Sequence, residues 1–478
     1  MSHPISIAEA AGRLRSGAVT PQDLVEQCLE RIDQHEARLH AWVAVDEAGA
    51  RRAARRAGDE IAAGRHLGPL HGIPVGIKDI VDVAGFPTRA GSPLTETEPK
   101  WADAPLVVAL RRAGAILLGK TVTCEFACFD PSPTRNPWAP GLDRTPGGSS
   151  SGSAVAVATG MCLGAIGTQT GGSLVRPAGY CGVAAWKPTF GRVDAEGVVP
   201  CSYHLDHPGA IARTAEDLRC LASCLLGTTW EGRHGWVPLA SRQCTGKMPV
   251  APSEERAEAT PPRAEGSDRQ TPPRTTPPRL GLLTDFFMEE ADESIRQVTE
   301  AAIEKLRTSG AEVERIELPE GFDRVHRMHR TIMAVEAAAV HRPRFAAHRG
   351  GYGPVIAAML DEGLATSGVD YAEALEYQRA FRRSVDALFE APTPPDALVM
   401  PATNATAPDL STTGDSKFQA PWSYAGVPVV SIPCALAPDG MPAAIQLVGR
   451  RGDDLTLLRV AESCERSLGF RELPAMLG

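Results

Sequence analysis

Short apolar runs alternate with helix-forming stretches along the first half of the chain, and this alternation restricts the fold more than any other feature. Runs at 73–77, 115–118 and 162–166 have the length and apolar content of buried strands. A helical pattern over 106–113 separates the first two, and a further helix is expected after Ser150. Strands that alternate with helices in this way are expected to form a sheet covered on both faces, an α/β architecture. The first 40 residues read as helices, with Ser6 and Glu9 as a capping box and Thr20-Pro21 with Asp23 as a second start. Strand patterns return at 280–283, 397–400, 427–432 and 443–448, and a helix is expected over 294–309.

Two glycine-serine clusters stand out against this pattern: Gly147-Gly148-Ser149-Ser150-Ser151-Gly152 and Gly171-Gly172-Ser173. Upstream, a lone lysine interrupts the apolar run Ile73-Pro74-Val75-Gly76-Ile77-Lys78-Asp79-Ile80. Cleaving an amide takes an activated nucleophile, a proton for the departing nitrogen and donors for the developing oxyanion. Glycines beside a serine let backbone N–H groups converge on one point. Desolvation between Ile77 and Ile80 would lower the pKa of Lys78 by roughly three pH units and make it a base near neutrality. Taken singly, such loops are ordinary turns or helix starts, and such a lysine keeps its amine in water. Their order and spacing point instead to a serine hydrolase with a lysine base.

With Leu70-His71-Gly72-Ile73-Pro74, Gly119-Lys120-Thr121, Arg135-Asn136-Pro137-Trp138, Lys187-Pro188-Thr189-Phe190-Gly191-Arg192, Asp206-His207-Pro208-Gly209 and Ala420-Pro421-Trp422, the clusters extend over nearly the whole chain. In these motifs the sequence resembles the amidase signature hydrolases, and it is also similar to the glutaminase (GatA-type) components of glutamyl-tRNA amidotransferases. The resemblance implies a single domain over 1–478 with one mixed central β-sheet between helices. It implies a Ser/cis-Ser/Lys triad of Ser173 as nucleophile, Ser149 as proton shuttle after a cis peptide, and Lys78 as base. The matching oxyanion hole is the backbone N–H groups of Thr170, Gly171, Gly172 and Ser173. The activity implied is hydrolysis of a small carboxylic amide through an acyl-enzyme, with release of ammonia. The alternatives are a glutaminase component of a tRNA-dependent amidotransferase and a catalytically silent scaffold.

Two departures from the family run G-T-D-x-G-G-S-x-R-x-P bear on substrate. The chain reads Gly167-Thr168-Gln169-Thr170-Gly171-Gly172-Ser173-Leu174-Val175-Arg176-Pro177, so glutamine replaces aspartate and the arginine comes one residue later. The resemblance is to the malonamidase-like branch, where the shifted arginine grips a substrate carboxylate. Arg176 is therefore the candidate substrate anchor, for a substrate such as malonamate, since a guanidinium can pair bidentately with a small acid. The structural alternative is an arginine tied to a nearby carbonyl.

A net charge of −9 argues against nucleic acid as a partner, and Arg51, Arg52, Arg55 and Arg56 read as a solvated helix face beside Asp59 and Glu60. No run of about 18 apolar residues suggests a membrane span, and Met1-Ser2-His3-Pro4 opens no signal peptide. Eleven cysteines without a Cys-x-x-Cys pair fit a reduced, cytoplasmic protein. No cofactor is implied. His204 with His207 and His326 with His329 lack the acidic or cysteine framework of a metal site, and Gly147 to Gly152 lacks the Gly-Lys-Ser/Thr of a phosphate loop. The expected partner is a small-molecule amide; the oligomeric state stays open, a homodimer being one option. Eight prolines between 241 and 279 mark a flexible surface insertion, and 280–395 is expected to be mostly helical and to lie over the mouth of the site.

Overall fold

The computed structural model describes residues 5–228 and 277–477. Most of the proline-rich stretch (241–276) and Met1 to Pro4 lie outside the described residues. Eleven strands form one sheet: β1 (Trp42–Val45), β2 (Pro74–Lys78), β3 (Ile116–Thr121), β4 (Gly164–Gln169), β5 (Ala184–Lys187), β6 (His207–Ala212), β7 (Arg279–Leu283), β8 (Glu312–Ile316), β9 (Ala397–Pro401), β10 (Val429–Leu436) and β11 (Pro442–Val448). Their order across the sheet is β1-β3-β2-β4-β6-β5-β10-β11-β9-β7-β8. β2 runs parallel to β3 and β4, and β7 runs parallel to β8 and β9. Antiparallel pairs β4·β6, β6·β5, β5·β10, β10·β11 and β11·β9 fill the middle, so the sheet is mixed. Helices flank it, and the fold is α/β as the alternation predicts.

Local signals explain where the elements begin. Thr20 caps the helix Pro21–Leu39 with a complete capping box to Asp23. At the helix Ile7–Ser16 half of the expected box forms: Ser6 Oγ accepts from Glu9 N, while the Glu9 carboxylate pairs with Arg13. The helices Glu293–Thr308, Val325–His348, Pro354–Ala365 and Gly368–Ala387 follow β7, with the edge strand β8 after the first of them.

Burial is most complete around β2 and β4. Every residue of both strands is buried, as are all eight residues of the helix Ser151–Ala158. This helix packs against the sheet through glycine: a Cβ on Gly152 would overlap Ala41 O and Val122 N. Beside Lys78, Asp79 Oδ1 lies 2.7 Å from Lys120 Nζ at the end of β3. Both side chains are out of solvent, and this pair ties the ends of the two parallel strands together.

Candidate active site

Parallel strands bring their C-terminal ends to one edge of the sheet, and there the end of β2 meets the end of β4. Lys78 Nζ donates to Thr168 Oγ1 at 2.8 Å and to Ser149 Oγ at 2.7 Å. Ser149 reaches this point from the loop before the helix Ser151–Ala158, and the Gly148–Ser149 peptide is cis. Lys78 is wholly buried. Removal from water pushes its pKa down to about 7, against a weaker upward pull from Cys124 and Asp206. The result is an amine that exchanges a proton near neutrality, in contact with a serine hydroxyl.

The second glycine-serine loop follows β4 and leads into the helix Val175–Tyr180. Gln169 organises it: Oε1 accepts from Leu174 N at 3.0 Å and Val175 N at 3.1 Å, while Nε2 donates to Ser423 Oγ at 3.0 Å. Ser423 Oγ in turn donates to Gly171 O at 2.8 Å. The glutamine that departs from the family run is thus a fully buried clamp on the loop. Ser150 N donates to Ser173 O at 3.3 Å, which joins the two serine loops. Among the described residues, the N–H groups of Gly171, Gly172 and Ser173 donate to no protein acceptor. A Cβ on Gly172 would overlap Gln419 Oε1, so any larger residue would have to displace the end of that side chain.

Arg176 is 1% exposed. Its Nη1 donates to Gly414 O at 2.8 Å, and its Nη2 donates to Gly148 O at 2.8 Å and to Thr413 Oγ1 at 3.2 Å. Both terminal nitrogens are therefore engaged with the protein itself. These contacts prop the Gly148–Ser149 peptide against the 413–414 loop, while the buried Nε has no hydrogen-bond partner among the described residues.

The histidine pairs separate. His329 Nε2 donates to Thr170 O at 2.9 Å, and burial pushes its pKa down to about 4. His326 bonds Lys417 O, His204 bonds Glu336, and His207 Nδ1 bonds Leu205 O at 2.6 Å. Among the described residues no group of three or more His, Cys, Asp or Glu side chains is placed to hold a metal ion, and no helix is long and apolar enough to cross a membrane. A cavity of about 820 Å³ opens elsewhere, against the helix Glu47–Ala62 and lined by Arg52, Arg56, His71 and Phe86. None of the three residues Lys78, Ser149 and Ser173 lines it.

Two contacts were not visible in the sequence. Thr168 is a second partner of Lys78, and Asp206 Oδ1 accepts from Thr170 Oγ1 at 2.5 Å. Both join residues distant along the chain. The Asp206-His207-Pro208-Gly209 run was a signal for the second, though not for the partner.

A family model described as Amidase matches residues 23–458. An amidase of Pseudomonas putida is 32% identical over 494 residues, which cover 99% of this chain and 98% of that protein. The GatA component of the glutamyl-tRNA(Gln) amidotransferase of Roseiflexus castenholzii is also 32% identical, over 97% of this chain and 96% of its own. Among solved structures, one described as the crystal structure of an amidase superposes with a TM-score of 0.80 at 30% identity, covering 97% of this chain and 99% of its own. The native peptide amidase of Stenotrophomonas maltophilia superposes with a TM-score of 0.78 at 27% identity, covering 99% and 98%. The fold and these relatives define an enzyme that hydrolyses carbon–nitrogen bonds of amides. The chain belongs to the amidase signature family.

Proposed function

We propose that this amidase hydrolyses a small carboxylic amide with Ser173 as nucleophile, Ser149 as relay and Lys78 as base. The observation that carries this reading is the 2.7 Å contact between the buried Lys78 amine and Ser149 Oγ. Ser173 Oγ attacks the amide carbon as its proton passes to Ser149, and the Ser149 proton passes to the neutral lysine. The N–H groups of Thr170, Gly171, Gly172 and Ser173 hold the oxyanion. Collapse breaks the carbon–nitrogen bond, and the proton returns from Lys78 through Ser149 to the nitrogen, which leaves as ammonia. Water then attacks the acyl-enzyme by the same route and frees the acid.

Lysine must be neutral to accept a proton, so activity rises with pH through about 7 as Lys78 loses its charge. A profile governed by a group near pH 4 would indicate a carboxylate base. The test of substrate class is ammonia release by the purified chain across amides with and without a carboxylate, malonamate among the former. The similarity to the Roseiflexus castenholzii protein favours a second reading, a glutaminase that passes ammonia to partner proteins. Ready turnover of small amides by the chain alone supports the first reading; glutamine hydrolysis confined to an assembled complex supports the second.

A further inference from the structure

The loop before β6 turns back toward the catalytic edge of the sheet at Asp206. Its carboxylate is fully engaged: Oδ1 accepts from Thr170 Oγ1 at 2.5 Å, and Oδ2 accepts from Cys201 N at 2.8 Å and from Ser202 N at 3.0 Å. Thr170 opens the loop that carries Ser173, and its carbonyl is held from the other side by His329. We propose that Asp206 is a positioning residue of this site, whose buried carboxylate fixes Thr170 at the start of the oxyanion loop and gives the site a negative charge. This rests on the assignment of Ser173, Ser149 and Lys78 given above.

Geometry and charge point the same way. A side chain that bonds Thr170 on one oxygen and two backbone N–H groups on the other makes the 170–173 loop and the 201–206 loop one unit. The ionisable groups around it are Lys78 on β2, Cys124 and Cys128 after β3, Cys201 beside it, His207 after it and His329 on the helix Val325–His348. Burial pushes Cys124 up to about 11, and a contact with Cys201 together with burial holds Cys128 well above the ordinary thiol range. Burial pushes His329 down to about 4 and His207 well below the ordinary imidazole range. It also raises Asp206 to about 6, despite its hydrogen bonds and the pull of Lys78. Above pH 6 the carboxylate is therefore more than half ionised. Second to Cys124, it favours the protonated lysine against the downward push of burial.

The test is the pH dependence of kcat and KM in Asp206→Asn and Thr170→Val, with folding checked by circular dichroism and Ser173 labelled by a fluorophosphonate. Loss of the carboxylate lowers the lysine pKa, so Asp206→Asn moves the limb on which activity rises toward lower pH by about half a unit or more. It lowers kcat by about tenfold with KM little changed. Thr170→Val keeps the charge and removes the hydroxyl; it lowers kcat and moves the limb less than Asp206→Asn does. An unmoved limb in Asp206→Asn overturns the electrostatic role, and a wild-type kcat in Thr170→Val overturns the positioning role. Should Asp206→Asn fail to fold, Thr170→Val decides alone, since a fall in kcat at constant KM supports the proposal. A wild-type enzyme that takes no label fails the triad assignment instead, so the two failures are told apart.

Discussion

The edge of the sheet at β2 and β4 and the helical segment after β7 are built on different principles. Around β2 and β4 the polar groups are buried and bonded to each other: Lys78 to Ser149 and Thr168, Gln169 to the backbone of the loop after β4, Arg176 to Gly148 and Gly414. In the helical segment, side-chain pairs such as Arg330–Glu362, Arg324–Glu373 and Arg349–Asp361 lie at the surface. Buried hydrogen bonds leave an unsatisfied group when broken, whereas exposed ion pairs are replaced by water at little loss. The proposed chemistry, which needs fixed geometry, falls in the first region. The second region reaches it at a few points, such as His329 on Thr170 O.

The largest effect expected from breaking this contrast comes from the triad. Ser173→Ala should abolish ammonia release with an unchanged circular dichroism spectrum. Ser149→Ala and Lys78→Ala should each lower the rate by orders of magnitude, because the three act as one proton-transfer unit. Near wild-type turnover in Ser173→Ala would remove the first region from the chemistry altogether.

Next in size is a packing test of the same region. Gly152 lies in a fully buried helix against Ala41 O and Val122 N, and an added methyl has nowhere to go. Gly152→Ala should destabilise the fold by about 1–3 kcal/mol or more in a denaturant titration. A neutral outcome would show that the helix Ser151–Ala158 can shift, and that the first region is less rigid than its burial implies.

Much of this contrast was legible in the residues themselves. Strands β2, β3 and β4 and the C-terminal strands each contain a short apolar run, and Lys78 stands out because it interrupts the one at 73–80. Strand β6 was not legible: it contains Pro208 and Gly209, which argue against a central strand, yet it pairs with β4 along its length. Strand β8, with Glu312, Glu314 and Arg315, carries charge suited to an exposed sheet edge, which hid it within a stretch expected to be helical. β1 and β5 are only four residues each, too short for periodicity to register. In the site, residue types and order were readable, but the bonds of Gln169 to Ser423, of Arg176 to Gly148 and Gly414 and of Asp206 to Thr170 join distant segments that only the folded chain brings together.

A smaller effect sharpens the assignment of Arg176. Arg176→Leu leaves Gly148 O and Gly414 O without their donor and should lower kcat/KM by at least about tenfold, equivalent to roughly 1.5 kcal/mol. Because the guanidinium is engaged with the protein, the loss should be equal on acidic and neutral amides. A loss confined to acidic amides would return the residue to the substrate carboxylate and place specificity in the buried region.

The smallest effect belongs to the helical segment. Arg330 on the helix Val325–His348 and Glu362 on the helix Pro354–Ala365 meet at 2.7 Å with both side chains more than a third exposed. Water and salt compete for both groups, so Glu362→Ala should change stability by only about 0.2–1 kcal/mol, and less as ionic strength rises. Neither residue touches the site, so kcat should stay within about twofold of wild type. A larger loss of stability, or one insensitive to salt, would mean that the pair is held in place by packing against Phe129, whose ring lies 6.0 Å from the Arg330 guanidinium. The helical segment would then share the rigidity of the sheet edge, and the division between the two regions would fail.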